Sequence, residues 1–134
     1  MRDRLVAGRL VLACAALALF VLCQPAQAQE IPLKAGQSAD LHPVYWVDQC
    51  QSILKRIVSV EKLSGPANVV LSIREQPVQA RRQNCPGDIP GGMVVATAGP
   101  IAAASTEAIE YRVVYDTQVG TRQSTHKRTL LLSP

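Results

Sequence analysis

The 134-residue sequence predicts a small all-β protein, an antiparallel β-sandwich of about six or seven short strands. Apolar and polar residues alternate along several stretches, Gly/Pro-rich segments separate those stretches, and two cysteines outside the first thirty residues are placed to staple the result.

The N-terminus is set apart by composition. In MRDRLVAGRLVLACAALALFVLCQPAQAQE, Arg2, Arg4 and Arg9 precede an apolar run from Leu10 to Leu22 that closes on Ala26-Gln27-Ala28. A cationic start, a short hydrophobic middle and a small-x-small end are the layout of a cleavable secretory signal peptide. The run is shorter than the roughly 20 apolar residues a bilayer span needs, and Gln24, Pro25 and Gln27 do not extend it. Residues 1–28 are therefore expected to be removed on export to the periplasm or the extracellular space, leaving no membrane span. A lipoprotein is disfavoured: Cys14 follows Arg9 too closely, and Cys23 follows the bulky Leu22.

Removal of the leader takes three of the 14 Lys/Arg and one of the 10 Asp/Glu, so 11 and 9 remain and the net charge falls from +4 to +2. Such a mild, dispersed balance does not make the clustered basic face that nucleic acid requires. Arg81-Arg82 and Lys127-Arg128 are expected to be solvated pairs. Cys14 and Cys23 leave with the leader, and the remaining Cys50 and Cys85 are expected to pair in an oxidising compartment. Closing a loop of that length stabilises a fold by about 4 kcal/mol in the chain-entropy model. Metal and redox roles are not expected, because there is no Cys-x-x-Cys spacing and no histidine near either cysteine.

Residues 29–134 have the length of one domain. Residues 29–41, QEIPLKAGQSADL, read as a flexible arm or a first edge strand. PVYWV, 43–47, is β-favouring, with Trp46 expected to plug the core. Residues 51–55 allow a short helical turn before a β-branched strand from Arg56. SGPAN, 64–68, is a turn, and Val69, Leu71 and Ile73 alternate with Val70, Ser72 and Arg74 after it. Pro77 is expected to break that strand and leave PVQARRQ as a separate edge segment or the far side of a bulge. NCPGDIPGG, 84–92, reads as an irregular loop, with its PGG as turn chemistry. MVVATA, 93–98, is a strand and 99–107 a loop.

The last stretch, EYRVVYDTQVGTRQSTHKRTLLL, is a β-hairpin. Ile109, Tyr111, Val113 and Tyr115 alternate with Glu110, Arg112, Val114 and Asp116, and residues 124–132 return after the connection around Gly120. A two- or four-residue loop pairs Val113 with His126 and turns His126 to the apolar face; a three-residue loop pairs Val113 with Lys127 and turns it outward.

SGPAN with its following strand, and the closing Tyr-x-Val hairpin, resemble bacterial immunoglobulin-like and cadherin-like domains of small exported proteins. The resemblance implies an immunoglobulin-like sandwich and extracytoplasmic binding or display, without catalytic residues or cofactors. The chain departs from those repeats in having one copy, no acidic calcium-binding run and the Cys50/Cys85 pair.

Catalytic constellations are not expected. There is no Gly-x-Ser-x-Gly elbow, phosphate-binding glycine loop or His-Glu-x-x-His motif. Asp40 and His42 would share one face of a strand, while His126 lies far along the sequence. The expected role is a non-enzymatic binding or structural module for an envelope or extracellular protein, engaged through a sheet edge such as the Pro77 segment. A small hydrolase inhibitor working through residues 84–92 is the alternative, and a weak hydrolase using His42 or His126 is the third.

Overall fold

The computed structural model describes residues 29–134, so the predicted leader, residues 1–28, lies outside the described residues. The strands are β1 (Glu30–Lys34), β2 (Ser38–Val44), β3 (Val47–Asp48), β4 (Gln51–Ser52), β5 (Leu54–Ser64), β6 (Val69–Gln79), β7 (Asp88–Ala98), β8 (Ser105–Thr117) and β9 (Gly120–Ser133), with a 3-10 turn at Arg81–Gln83. One sheet has the order β1-β9-β8-β5 and the other β2-β7-β6, while β3 and β4 form a two-stranded ribbon. Every pairing is antiparallel except that of β1 with β9. The fold is the predicted all-β sandwich.

Its core follows from alternation. Ile109, Tyr111, Val113 and Tyr115 of β8 face Val94, Ala96 and Ala98 of β7, and Leu33, Leu41, Val69, Leu130 and Leu132 fill the space between. Ile31, Leu71 and Ile73 pack against this cluster from β1 and β6. Burying such side chains contributes about 1.5–3 kcal/mol each.

Of the two readings of residues 29–41, the first edge strand holds: β1 flanks β9 at the sheet edge, and β2 begins at Ser38. A turn at Lys34–Gln37, closed by Gln37 N–H on the Lys34 carbonyl at 2.9 Å, carries the chain from one sheet to the other, and Gly36 supplies its positive φ of 74°. SGPAN also crosses between the sheets. The Lys62 ammonium donates to the carbonyls of Pro66 and Val69, at 2.8 and 2.9 Å, and holds the turn closed.

Several local expectations are corrected. Residues 51–55 form strands, with no helical turn. Pro77 does not break β6: it lies opposite Pro90 in unbroken register from Val69/Ala98 to Gln79/Asp88. The Pro90 carbonyl accepts the Ser52 hydroxyl and so faces away from β6, which by alternation turns the nitrogen of Pro77 outward as well. Neither proline then costs the pair a ladder bond.

The expected 84–92 loop is only Asn84–Gly87, because β7 starts at Asp88. Gly91 and Gly92 answer to packing, not to a turn. A Cβ on Gly91 would lie 2.5 Å from the Val44 carbonyl oxygen, and one on Gly92 would collide with Ile57 Cδ1.

Trp46 is not a core plug. It is 39% exposed beside Tyr115, with ring centroids 5.9 Å apart. The chain leaves β2 before reaching it, and the ribbon β3-β4 instead covers a second apolar cluster of Val78, Ala80 and Ile89 with Tyr45 and Val47. Cys50 and Cys85 are joined as predicted, with Cα atoms 5.3 Å apart. That bond ties the tip of the ribbon, where Gln49 and Cys50 both have positive φ, to the loop before β7.

Candidate functional site

The two histidines meet across the sandwich. In β2 the register slips between Asp40/Val95 and His42/Val94, leaving Leu41 as an extra residue. Such a bulge reverses the strand's facing parity. Ala39 and Leu41 point inward before it, and His42, opposite the fully buried Val94, points inward after it. Asp40 stays on the outer face, where it accepts two hydrogen bonds from Arg74 at 2.9 and 3.0 Å. The expected Asp40/His42 pair on one face is therefore not formed.

The β8–β9 connection is a two-residue loop, Thr117 pairing with Gly120. His126 falls opposite Tyr111 rather than Val113, a slip of two that preserves its face, and it points into the sandwich with Ser124 and Arg128. The inward row of β9 thus changes from Leu132 and Leu130 to Arg128, His126 and Ser124. It turns polar where β1, whose pairing starts at Thr129, no longer flanks it.

His42 and His126 lie with ring centroids 3.9 Å apart. His42 Nδ1 is 2.7 Å from the Tyr111 hydroxyl, and His126 Nε2 is 2.8 Å from Ser124 Oγ. Burial pushes the Tyr111 hydroxyl up to about 12, against a smaller opposing pull from the Arg128 charge. Burial also raises Tyr115, offset by its hydrogen bond to Ser124 and the charge of Arg122. Arg128 is half-buried, and its Nε donates to the Leu41 carbonyl at 3.4 Å, beside the bulge that aims His42.

His42, His126, Tyr115, Ser124 and Arg128 line a groove of about 880 Å³ together with Trp46, Arg81 and Asp88. Among the described residues no cluster of three His, Cys, Asp or Glu side chains is placed to hold a metal ion.

The strand edges differ in their protection. Ala35 N–H bonds to the Ser133 carbonyl, so odd-numbered residues of β1 face β9 and Pro32 turns its nitrogen to the outside. Ala98 exchanges hydrogen bonds with Gly36 and Gln37, so even-numbered residues of β7 face β2; Pro43, opposite Met93, then faces outward on β2. Pro77 does the same on β6. The pairing of β5 with β8 is interrupted by three irregularities, and β5 carries Lys55, Arg56, Glu61 and Lys62. Prolines, bulges and charges of this kind blunt a free edge.

The stretch of β9 before Thr129 has neither proline nor bulge, and its pairing with β8 is regular throughout. Because Ser133 presents its carbonyl to β1, alternation turns the N–H and C=O groups of Thr121, Gln123, Thr125 and Lys127 to the side where no described strand pairs. This open edge borders the histidine groove.

Sequence reasoning located His42 and His126 as separate residues and missed Tyr111, Ser124 and Arg128 as their companions. The signal was present in Ser124-x-His126-x-Arg128-x-Leu130-x-Leu132, an inward row that changes polarity midway. No family model, curated protein or solved structure matches the chain.

Proposed function

We propose that the protein is an exported, non-enzymatic binding module that receives a strand from an envelope or extracellular protein along the free edge of β9. The observation carrying this reading is the contrast between edges: β1, β2, β5 and β6 each bear a proline or bulges, and β9 from Thr121 to Lys127 bears none. The Cys50–Cys85 bond supports an oxidising compartment. An immunoglobulin-like assignment is supported by strand order, since β2-β7-β6 and β9-β8-β5 follow the B-E-D and G-F-C orders of that sandwich, with β1 added beside the last strand. Bacterial immunoglobulin-like domains remain the family this arrangement favours. The inhibitor alternative would act through a shorter loop, Asn84 to Gly87, because Asp88 to Gly92 belong to β7 and pair with β6.

The test is a photo-crosslinking residue at Thr125, with one at the likewise solvent-facing Val58 of β5 as control, in the cell that exports the protein. A discrete adduct from Thr125 alone, lost when Gln123→Pro removes an outward N–H, is expected. Equal labelling from both positions, or an adduct indifferent to Gln123→Pro, refutes the assignment.

A further inference from the structure

We infer that the groove beside the β3-β4 ribbon is a second binding site, and that it takes a neutral oligosaccharide of glucose or N-acetylglucosamine type against the ring of Trp46. Trp46 is the one tryptophan of the chain, and it stands 39% exposed in the groove lining while the buried Tyr115 backs it, with ring centroids 5.9 Å apart. An exposed indole in a concave site favours an occupant that lays apolar surface on its face and leaves polar groups at the rim.

The ring is positioned before any ligand arrives. The Trp46 carbonyl accepts the Ile53 N–H at 2.9 Å, Val47 pairs with Ser52 across the ribbon, and the Cys50–Cys85 bond fixes the ribbon tip. A platform ordered in advance loses less entropy on binding.

The rest of the lining selects the chemistry. Gln76 and Gln79 come from β6, Gln83 from the 3-10 turn and Ser124 from β9. Each is a neutral side chain that both donates and accepts, as sugar hydroxyls do. The Gln76 and Gln79 amide oxygens accept from Arg74 and Arg81 at 2.6 and 3.4 Å, which leaves their amide N–H groups to donate.

Charge is spread thinly. Arg81, Arg128 and Asp88 line the groove, and both guanidinium groups already donate within the chain: Arg81 to Gln79, and Arg128 to the carbonyls of Leu41 and Lys127 at 3.4 and 3.0 Å. Such a lining lacks the concentrated positive field that draws a polyanion, and its amides interrupt the apolar surface an acyl chain would need. A pyranose with equatorial substituents has the matching pattern. Its axial C–H bonds form an apolar face for the indole, and its hydroxyls project from the rim toward amide and hydroxyl partners. The volume of about 880 Å³ lies toward the upper end of the roughly 300–1,000 Å³ of small-ligand sites, giving room for a short chain of sugars.

The probes are cellotetraose and tetra-N-acetylchitotetraose, with glucose as the single-ring control, titrated into the disulfide-bonded protein and followed by Trp46 emission and by calorimetry. At least one tetrasaccharide is expected to give a saturable blue shift, and glucose to bind roughly tenfold more weakly. Trp46→Ala, with its fold checked by β-type circular dichroism, is expected to weaken calorimetric binding roughly tenfold. Gln83→Ala, at an exposed side chain outside the core, is expected to weaken it roughly threefold and to spare the fold. Absence of both shift and heat with either tetrasaccharide up to about 10 mM overturns the inference. Binding that survives both substitutions unchanged also overturns it, as does a blue shift produced by a glutamate decapeptide where both tetrasaccharides fail.

Discussion

His42 and Tyr111, 69 positions apart in the chain and on opposite sheets, share a 2.7 Å hydrogen bond between Nδ1 and the phenolic oxygen. Tyr111 is wholly buried, so this contact satisfies its hydroxyl while its ring packs the core. The bond ties the bulged strand β2 to β8 and fixes one ring of the histidine pair. Tyr111→Phe keeps the ring and removes the hydroxyl. It is expected to lower unfolding free energy by about 1–2 kcal/mol in a denaturant titration, and to move the His42 ring resonances. Unchanged stability and unchanged resonances would show that the hydroxyl is not engaged.

Alkaline stability follows from the same burial. The Tyr111 hydroxyl ionises near 12 in the folded protein and near 10 when unfolded, so the unfolded state releases its proton first. Its contribution is fully present below about pH 10 and declines as pH rises toward 12. Tyr115 acts in the same direction. Tyrosinate absorbance should therefore appear in part together with the loss of β-type circular dichroism. Complete tyrosine ionisation at pH 10.5 with the fold intact would contradict this.

At the acid end, Asp116 accepts from Arg56 at 2.8 Å and from Thr121 at 2.7 Å, and these bonds hold its carboxyl below the usual carboxylate range. A depressed carboxyl favours folding above its unfolded value, and that contribution is lost as pH falls through its folded value. The pair is exposed, so the effect is small. Asp116→Asn should abolish its share of the acid dependence in a melting series between pH 5 and 2, leaving neutral stability nearly unchanged.

The disulfide restrains both the ribbon and the unfolded chain. Its 35-residue separation corresponds to about 4 kcal/mol in the chain-entropy model. Replacing Cys50 and Cys85 by serine removes that restraint and also frees Gln49 and residue 50 to leave the left-handed region. A loss of about 2–4 kcal/mol is expected, with a red shift in Trp46 emission as the ribbon loosens. Unaltered emission would place Trp46 outside the influence of the ribbon.

Gly91 and Gly87 provide a matched pair. Ala at 91 must displace both the Val44 backbone oxygen and the Val78 side chain, a strain expected to cost about 1–3 kcal/mol. Ala at 87 meets open space and only the penalty of a φ near 74°, about 1 kcal/mol. Melting curves of the two variants compare packing with backbone strain directly; equal shifts would remove the packing argument.

Much of this architecture is legible in the chain because facing parity is local. Val69-x-Leu71-x-Ile73 and Ile109-x-Tyr111-x-Val113-x-Tyr115 declare a buried face whatever they pair with, since successive side chains on a strand point to opposite sides. The pairing of Cys50 with Cys85 is legible for a different reason: residues 29–134 contain no other cysteine.

Pro77, Pro90 and Trp46 were misleading because their tolerance depends on neighbours. A proline is compatible with a strand when its nitrogen faces away from the partner, and only the ladder decides that. Likewise, the largest aromatic side chain is buried only if the chain delivers it between the sheets, and β2 ends at Val44.

The sequence by itself determined the all-β class, the faces of the long strands and the disulfide. Tertiary structure alone decided that Leu41 bulges, that His42 turns inward to meet His126, and that no described strand pairs with β9 before Thr129. Alternation is a property of a few consecutive residues. Register, bulges and free edges are properties of two strands at once, and segments remote in the chain must come together before they exist.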